Sequence, residues 1–112
     1  MKSMRKIFII LMALFPFALV SSPSRADTKL EASIFSFDGK DFVRTKTTLM
    51  DKGQPATGTK LDHSSAAYKA LIEKHSYTGP ATVFGQDYDS DYAPLIGDDG
   101  KLTGAVFIGV PK

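Results

Sequence analysis

Two neighbouring runs near the middle of the chain alternate between apolar and polar positions. Residues 31–37 carry Ile34, Phe35 and Phe37, and residues 42–49 resume with Val43, Thr45, Thr47 and Thr48 after Asp38-Gly39-Lys40-Asp41. Two β-prone runs around an Asp-Gly pair predict a hairpin. Residues 51–59 (DKGQPATGT) contain Gly, Pro and Thr with few large apolar side chains, and read as a loop. The period then lengthens. Ala67, Tyr68, Leu71, Ile72 and His75 recur at helical spacing, which predicts a helix over residues 64–75 with Asp62 or Ser64 as its N-cap. Gly79-Pro80 is the expected stop. Beyond it, residues 80–86 and 88–96 read as strands, 97–100 (GDDG) as a turn and 102–110 as a last strand. That last run is apolar on both faces, with Leu102, Val106, Ile108 and Val110 on one and Ala105 and Phe107 on the other. A strand buried on both sides belongs in the middle of a sheet, with a helix over at least one face. The element order describes a small α+β domain built on an antiparallel sheet.

The first 26 residues follow a different pattern. Lys2, Arg5 and Lys6 precede 14 uncharged residues from Ile7 to Val20, and Ser24 and Ala26 supply small side chains before the domain begins. This three-part layout predicts an export leader cleaved after Ala26, leaving residues 27–112 as one periplasmic domain. The alternative, a membrane anchor over residues 7–20, falls short of the roughly 20 apolar residues a spanning helix needs. The leader also changes the charge. Four of the 14 basic residues and none of the 12 acidic ones lie in it, so the remaining 86 residues hold 10 basic against 12 acidic side chains. The net positive charge of the whole chain therefore belongs to the leader, and nucleic acid is not an expected partner. The absence of Cys removes disulfides, thiolate metal sites and cysteine nucleophiles together.

Four stretches in order resemble one family. They are FVRTKTTL, GTKLDHSSAAYKAL, YTGPATVFGQDYDSDYAPL and DDGKLTGAVFIGVP, spread over about 70 residues from Phe42 to Pro111. The set is similar to the single-Cache sensor domains, of Cache 3/Cache 2 type, found outside the membrane in bacterial chemoreceptors and sensor kinases. The resemblance implies a PAS-like fold: a five-stranded antiparallel sheet with one main helix, cupping a small ligand on one face. Members of that family carry a long amphipathic helix ahead of the sheet. Here only Asp27–Leu30 separates the expected cleavage point from the first strand, and no signalling domain follows Lys112, so the chain is expected to be the sensor module exported alone.

The candidate chemistry is sparse. Simple alternation puts Phe42, Arg44, Lys46 and Thr48 on one strand face. A guanidinium lining a cup suits a carboxylate, because its planar fork donates two parallel hydrogen bonds. Arg44 is the expected anchor and Lys46 a secondary contact; the alternative is an exposed cationic face. Tyr88 and Tyr92 share a face with Ser90 and are expected either to line the pocket or to fill ordinary core. His63 is expected at the pocket rim, and His75 at the helix end, where an imidazolium is favoured by the dipole. Asp87, Asp89 and Asp91 start like a calcium loop, but Tyr92 stands where glycine is required and Pro94 intrudes, so no metal is expected. No nucleophile stands beside a base, and no cofactor motif occurs. The expected function is thus a non-catalytic periplasmic module for an organic acid or amino acid. Two alternatives remain: a ligand-free interaction protein pairing as a homodimer or with a membrane sensor through an open sheet face or edge, and a membrane-tethered fragment with its leader retained.

Overall fold

The structure is a computed structural model describing residues 29–112, so the leader lies outside the described residues. Its elements are β1 (Glu31–Phe37), β2 (Phe42–Thr47), β3 (Met50–Asp51), β4 (Gln54–Pro55), α1 (Ala66–Ile72), β5 (Tyr77–Val83), β6 (Gln86–Ile96) and β7 (Leu102–Pro111). Five of the strands form one antiparallel sheet in the order β2-β1-β7-β6-β5, and β3 and β4 form a separate two-residue hairpin. The architecture is the PAS-like α+β one expected from sequence. Strand β7 is central, flanked by β1 and β6, as its two apolar faces require. Its Gly104 sits so close to β1 that a Cβ there would run into the Phe35 carbonyl oxygen.

One face of the sheet carries the core. Phe35, Phe42, Tyr88, Tyr92, Ala105 and Phe107 are buried on it, together with Leu49, Ala56 and Leu61 from the segment between β2 and α1. Helix α1 closes over this face with Ala67 and Leu71, one turn apart, both buried. The other face is open among the described residues: Ile34 is 44% exposed, and Val106, Ile108 and Val110 are half-buried beside it.

Local chemistry moved several boundaries. The helix is shorter than its periodicity suggests, running only from Ala66 to Ile72. Its N-cap is Ser65, whose hydroxyl accepts from the Tyr68 N–H at 3.1 Å. The Asp62 carboxylate instead accepts the Ser64 N–H, ahead of the helix. The end is a Schellman motif: His75 N–H reaches Ala70 O at 2.9 Å and Lys74 N–H reaches Leu71 O at 2.8 Å, with Lys74 at φ 65°. His75 therefore closes the helix through its backbone, well before Gly79-Pro80. Pro80 lies inside β5, where its missing N–H is tolerated because β5 is an edge strand. Phe84 and Gly85, read from sequence as strand, form the two-residue turn between β5 and β6. The expected loop at residues 51–59 contains another such turn, Lys52-Gly53, between β3 and β4.

The most consequential departure is in β2. Phe35 pairs with Arg44 while Ile34 pairs with Lys46, so Thr45 has no partner and forms a β-bulge. Parity along the strand would place Arg44 and Lys46 together. The bulge sends Arg44 to the covered face beside Phe35 and Lys46 to the open face beside Ile34.

Candidate functional site

Arg44 is 2% exposed and is held without any acidic partner among the described residues. Its Nε donates to Ser33 Oγ at 2.9 Å and its Nη1 to Thr59 Oγ1 at 2.8 Å. Both acceptors are neutral hydroxyls fixed by further bonds. Thr59 Oγ1 donates to Ala56 O at 2.6 Å, and Ser33 Oγ lies 2.8 Å from Thr47 Oγ1, which donates to Ala32 O at 3.2 Å. The backbone is clamped at the same place, with Arg44 N–H to Thr59 O at 2.8 Å and Gly58 N–H to Arg44 O at 2.7 Å. The guanidinium carbon lies over the Phe35 ring at 4.6 Å from its centroid and over the Phe84 ring at 5.3 Å. Burial pulls the Arg44 pKa below the ordinary guanidinium value, partly opposed by Tyr92. An arginine nevertheless stays protonated in proteins. Two of its five N–H donors are occupied, and the rest meet no acceptor among the described residues.

Tyr92 supplies the second unused group. It is 1% exposed, and its hydroxyl has no hydrogen-bond partner among the described residues. Burial pushes the phenol up to about 12 against the opposing pull of Arg44, so it is a protonated donor at neutral pH. Among the described residues no sealed side-chain polar atom lacks a partner, so Arg44 Nη2 and the Tyr92 hydroxyl, which have none, are not fully sealed.

That space is a cavity of about 390 Å³, within the range of small-molecule sites. Its sheet wall is Arg44, Tyr77, Ala81, Val83 and Tyr92, its opposite wall is Lys60–Asp62 and the first residues of α1, and Phe84 stands at the hairpin tip. Tyr77 donates its hydroxyl to Pro80 O at 2.6 Å. The acidic member of the lining, Asp62, accepts both the Ser64 N–H and the Ser64 hydroxyl at 2.9 Å. Lys60 is turned towards Asp41, 3.5 Å away. The cavity is therefore a hollow of mixed polar and apolar lining, with a buried cation and a free phenol on one wall.

Of the residues singled out from sequence, Arg44 and Tyr92 line this cavity together. Tyr88 is buried on the same face but outside the lining, packed edge-on to Phe107 with centroids 5.9 Å apart. Lys46 is exposed on the far face, for the reason the bulge supplies. His63 also lies outside the lining. Its Nε2 is 2.6 Å from Asp41 Oδ1, and its ring stacks on Tyr68 at 4.2 Å, which ties the covering segment to the β1–β2 turn. On the open face Asp87 and Asp91 accept from Thr82 and Thr78 across the β5–β6 pair, and Asp89 faces Lys112. Sequence reasoning missed Ser33, Thr59, Tyr77 and Phe84. Only Phe84 carried a local signal, since a residue before glycine between two strands can be the first position of a tight turn.

A family model for the Cache 3/Cache 2 fusion domain matches residues 16–112. The chain belongs to that family. The match begins at Pro16, inside the stretch read from sequence as a leader. Comparison with curated proteins and with solved structures gave no match. Cache domains are extracytoplasmic modules that sense small molecules and are not catalysts. Among the described residues of this Cache domain, no helix is long and apolar enough to cross a membrane.

Proposed function

We propose that this chain is an exported, non-catalytic sensor module that binds a small carboxylate in the hollow between the sheet and the segment leading into α1. The observation that supports this reading is Arg44. A cation removed from water is costly unless paired, and here its partners are two neutral hydroxyls. An anionic ligand would complete the pairing through the unused N–H edge, the bidentate geometry guanidinium offers to carboxylates. Tyr92 would donate the next hydrogen bond, and the apolar wall would accept the body of the ligand. Asp62 is already engaged by Ser64, which leaves little on the wall to receive an ammonium, so organic acids fit better than amino acids.

Thermal unfolding of the purified protein against a panel of organic acids and amino acids tests this. A ligand at 100 times its Kd should add about 2.7 kcal/mol of stability. Arg44→Met should abolish that gain; an undiminished gain in the variant refutes the assignment. Residues 1–26 would be the export leader, cleaved after Ala26, and the mass of the mature N-terminus tests that directly. The open apolar face around Ile34 favours a second reading, in which the domain pairs with another copy or with a membrane sensor. Size that grows with concentration and falls on Ile34→Lys would support it.

A further inference from the structure

The turn between β5 and β6 has Phe84 at φ 50° and Gly85 at φ 78°, with Val83 paired to Gln86. Two positive φ values across a two-residue hairpin are the type I′ geometry, whose first position favours Asn, Asp or Gly. A bulky aromatic in that position is a strained choice, and such strain persists where the surroundings over-determine it. The turn between β3 and β4 provides an internal control. Lys52 and Gly53 have nearly the same angles, 55° and 79°, yet Lys52 is exposed and takes no part in the cavity. Phe84 differs in what its ring does. It lines the cavity and lies over the Arg44 guanidinium, although Arg44 is on β2 and the Phe84 turn is at the opposite edge of the sheet.

We propose that Phe84 sets the shape of anion this site accepts, admitting flat carboxylates and disfavouring anions with a tetrahedral head. The proposal rests on the reading of Arg44 as the anion anchor. The donors of a guanidinium all lie in its plane, so a partner must come along an edge. Ser33 and Thr59 already occupy two N–H positions from the protein side. Phe35 from the floor and Phe84 from the far rim present ring faces to the same group. Those faces carry negative potential, which attracts the cation and repels the oxygens of an anion. A carboxylate coplanar with the guanidinium keeps both oxygens away from them. A tetrahedral head places at least one oxygen out of the plane, towards a ring. Phe35 is sealed in the core, whereas Phe84 is 40% exposed, so Phe84 is the ring that can be exchanged without opening the floor.

Acetate and methanesulfonate are suitable probes, since they share a methyl tail and a single charge and differ in whether the charged head is flat. Calorimetric titration of the purified protein should show acetate binding more tightly. Phe84→Leu keeps an apolar side chain without a π face, and should narrow the acetate preference by about tenfold. Phe84→Asn should narrow it equally while raising the melting temperature, because Asn-Gly suits the turn. Equal binding of the two anions by the unaltered protein, or an undiminished preference in both variants, overturns the role of Phe84 and leaves the anion site standing. Failure of the unaltered protein to bind either probe, or binding untouched by Arg44→Met, removes the underlying site.

Discussion

The covered face of the sheet has two ends, separated on β2 by only two residues. Around Phe42 it is solid. The Phe37 and Phe42 rings lie 4.6 Å apart, Tyr68 meets Phe42 edge-on at 5.8 Å, and His63 stacks on Tyr68. The polar atoms there are engaged within the protein: Tyr68 donates to Lys40 O at 2.7 Å and His63 contacts Asp41. Around Arg44 the same face is hollow, and a guanidinium and a phenol keep unused donors. Both ends contain large side chains, and Phe42 and Arg44 at their centres are both buried. They differ in whether hydrogen-bonding capacity is exhausted, and that separates a structural core from a place prepared for a guest.

Substitutions at the two ends should therefore have opposite signatures. The largest effect on stability belongs to the solid end. Phe42→Ala should cost about 3–5 kcal/mol, read by denaturant unfolding, because the ring is fully buried among neighbours that cannot close the gap. Arg44→Met should behave differently, with the free protein unchanged or stabler by about 1–4 kcal/mol, since replacing a buried charge by an apolar group of similar volume relieves desolvation. Loss of several kcal/mol in that variant would mean Arg44 is a structural strut and would erase the contrast. Tyr92→Phe removes a hydroxyl with no protein partner, so unfolding should shift by less than about 0.5 kcal/mol while carboxylate binding weakens by about 0.5–1.5 kcal/mol. With the phenol pushed up to about 12, carboxylate affinity should be flat between about pH 6 and 9 as far as Tyr92 is concerned.

The smallest effect lies at Asp41. Its carboxyl is held below the ordinary 3.8, chiefly by the hydrogen bond from His63, against some desolvation and with help from Lys60. A depressed carboxylate stabilises the fold above its unfolded pKa, and that contribution is lost as pH falls through the folded value. His63→Phe keeps the stack on Tyr68 and removes the hydrogen bond. The Asp41 carboxyl, followed by NMR titration, should move back up towards 3.8, and the acid limb of the stability curve should become shallower. An unmoved titration would detach His63 from the fastening of the solid end.

Sequence pattern exposed much of the scaffold and rather less of the site. The central placement of β7 followed from its two apolar faces, and the Asp38–Asp41 and Gly97–Gly100 turns from local chemistry. The helix was overextended because the apolar period continues through His75, while the backbone had already turned at Lys74. Lys46 was assigned to the wrong face because a bulge is a property of two strands, and only the pairing with Ile34 reveals that Thr45 is supernumerary. Tyr88 and Tyr92 are four apart on one strand and chemically identical. Which of them faces a hollow depends on where α1 and its entry segment leave room, and no periodicity records that. The turn at Phe84 has a local signal in the glycine that follows it, but the contact of its ring with Arg44 is beyond the reach of pattern, since it joins opposite edges of the sheet.

Thr45 has one more consequence. With that residue removed, Arg44, Lys46 and Thr47 would still meet Phe35, Ile34 and Ser33 in plain alternation, so the extra residue changes no pairing. What it adds is curvature: a bulged strand bends and coils more tightly than a regular one. A chain shortened by this single threonine should keep its register and straighten its margin, and the bowl that shelters the guanidinium would become shallower.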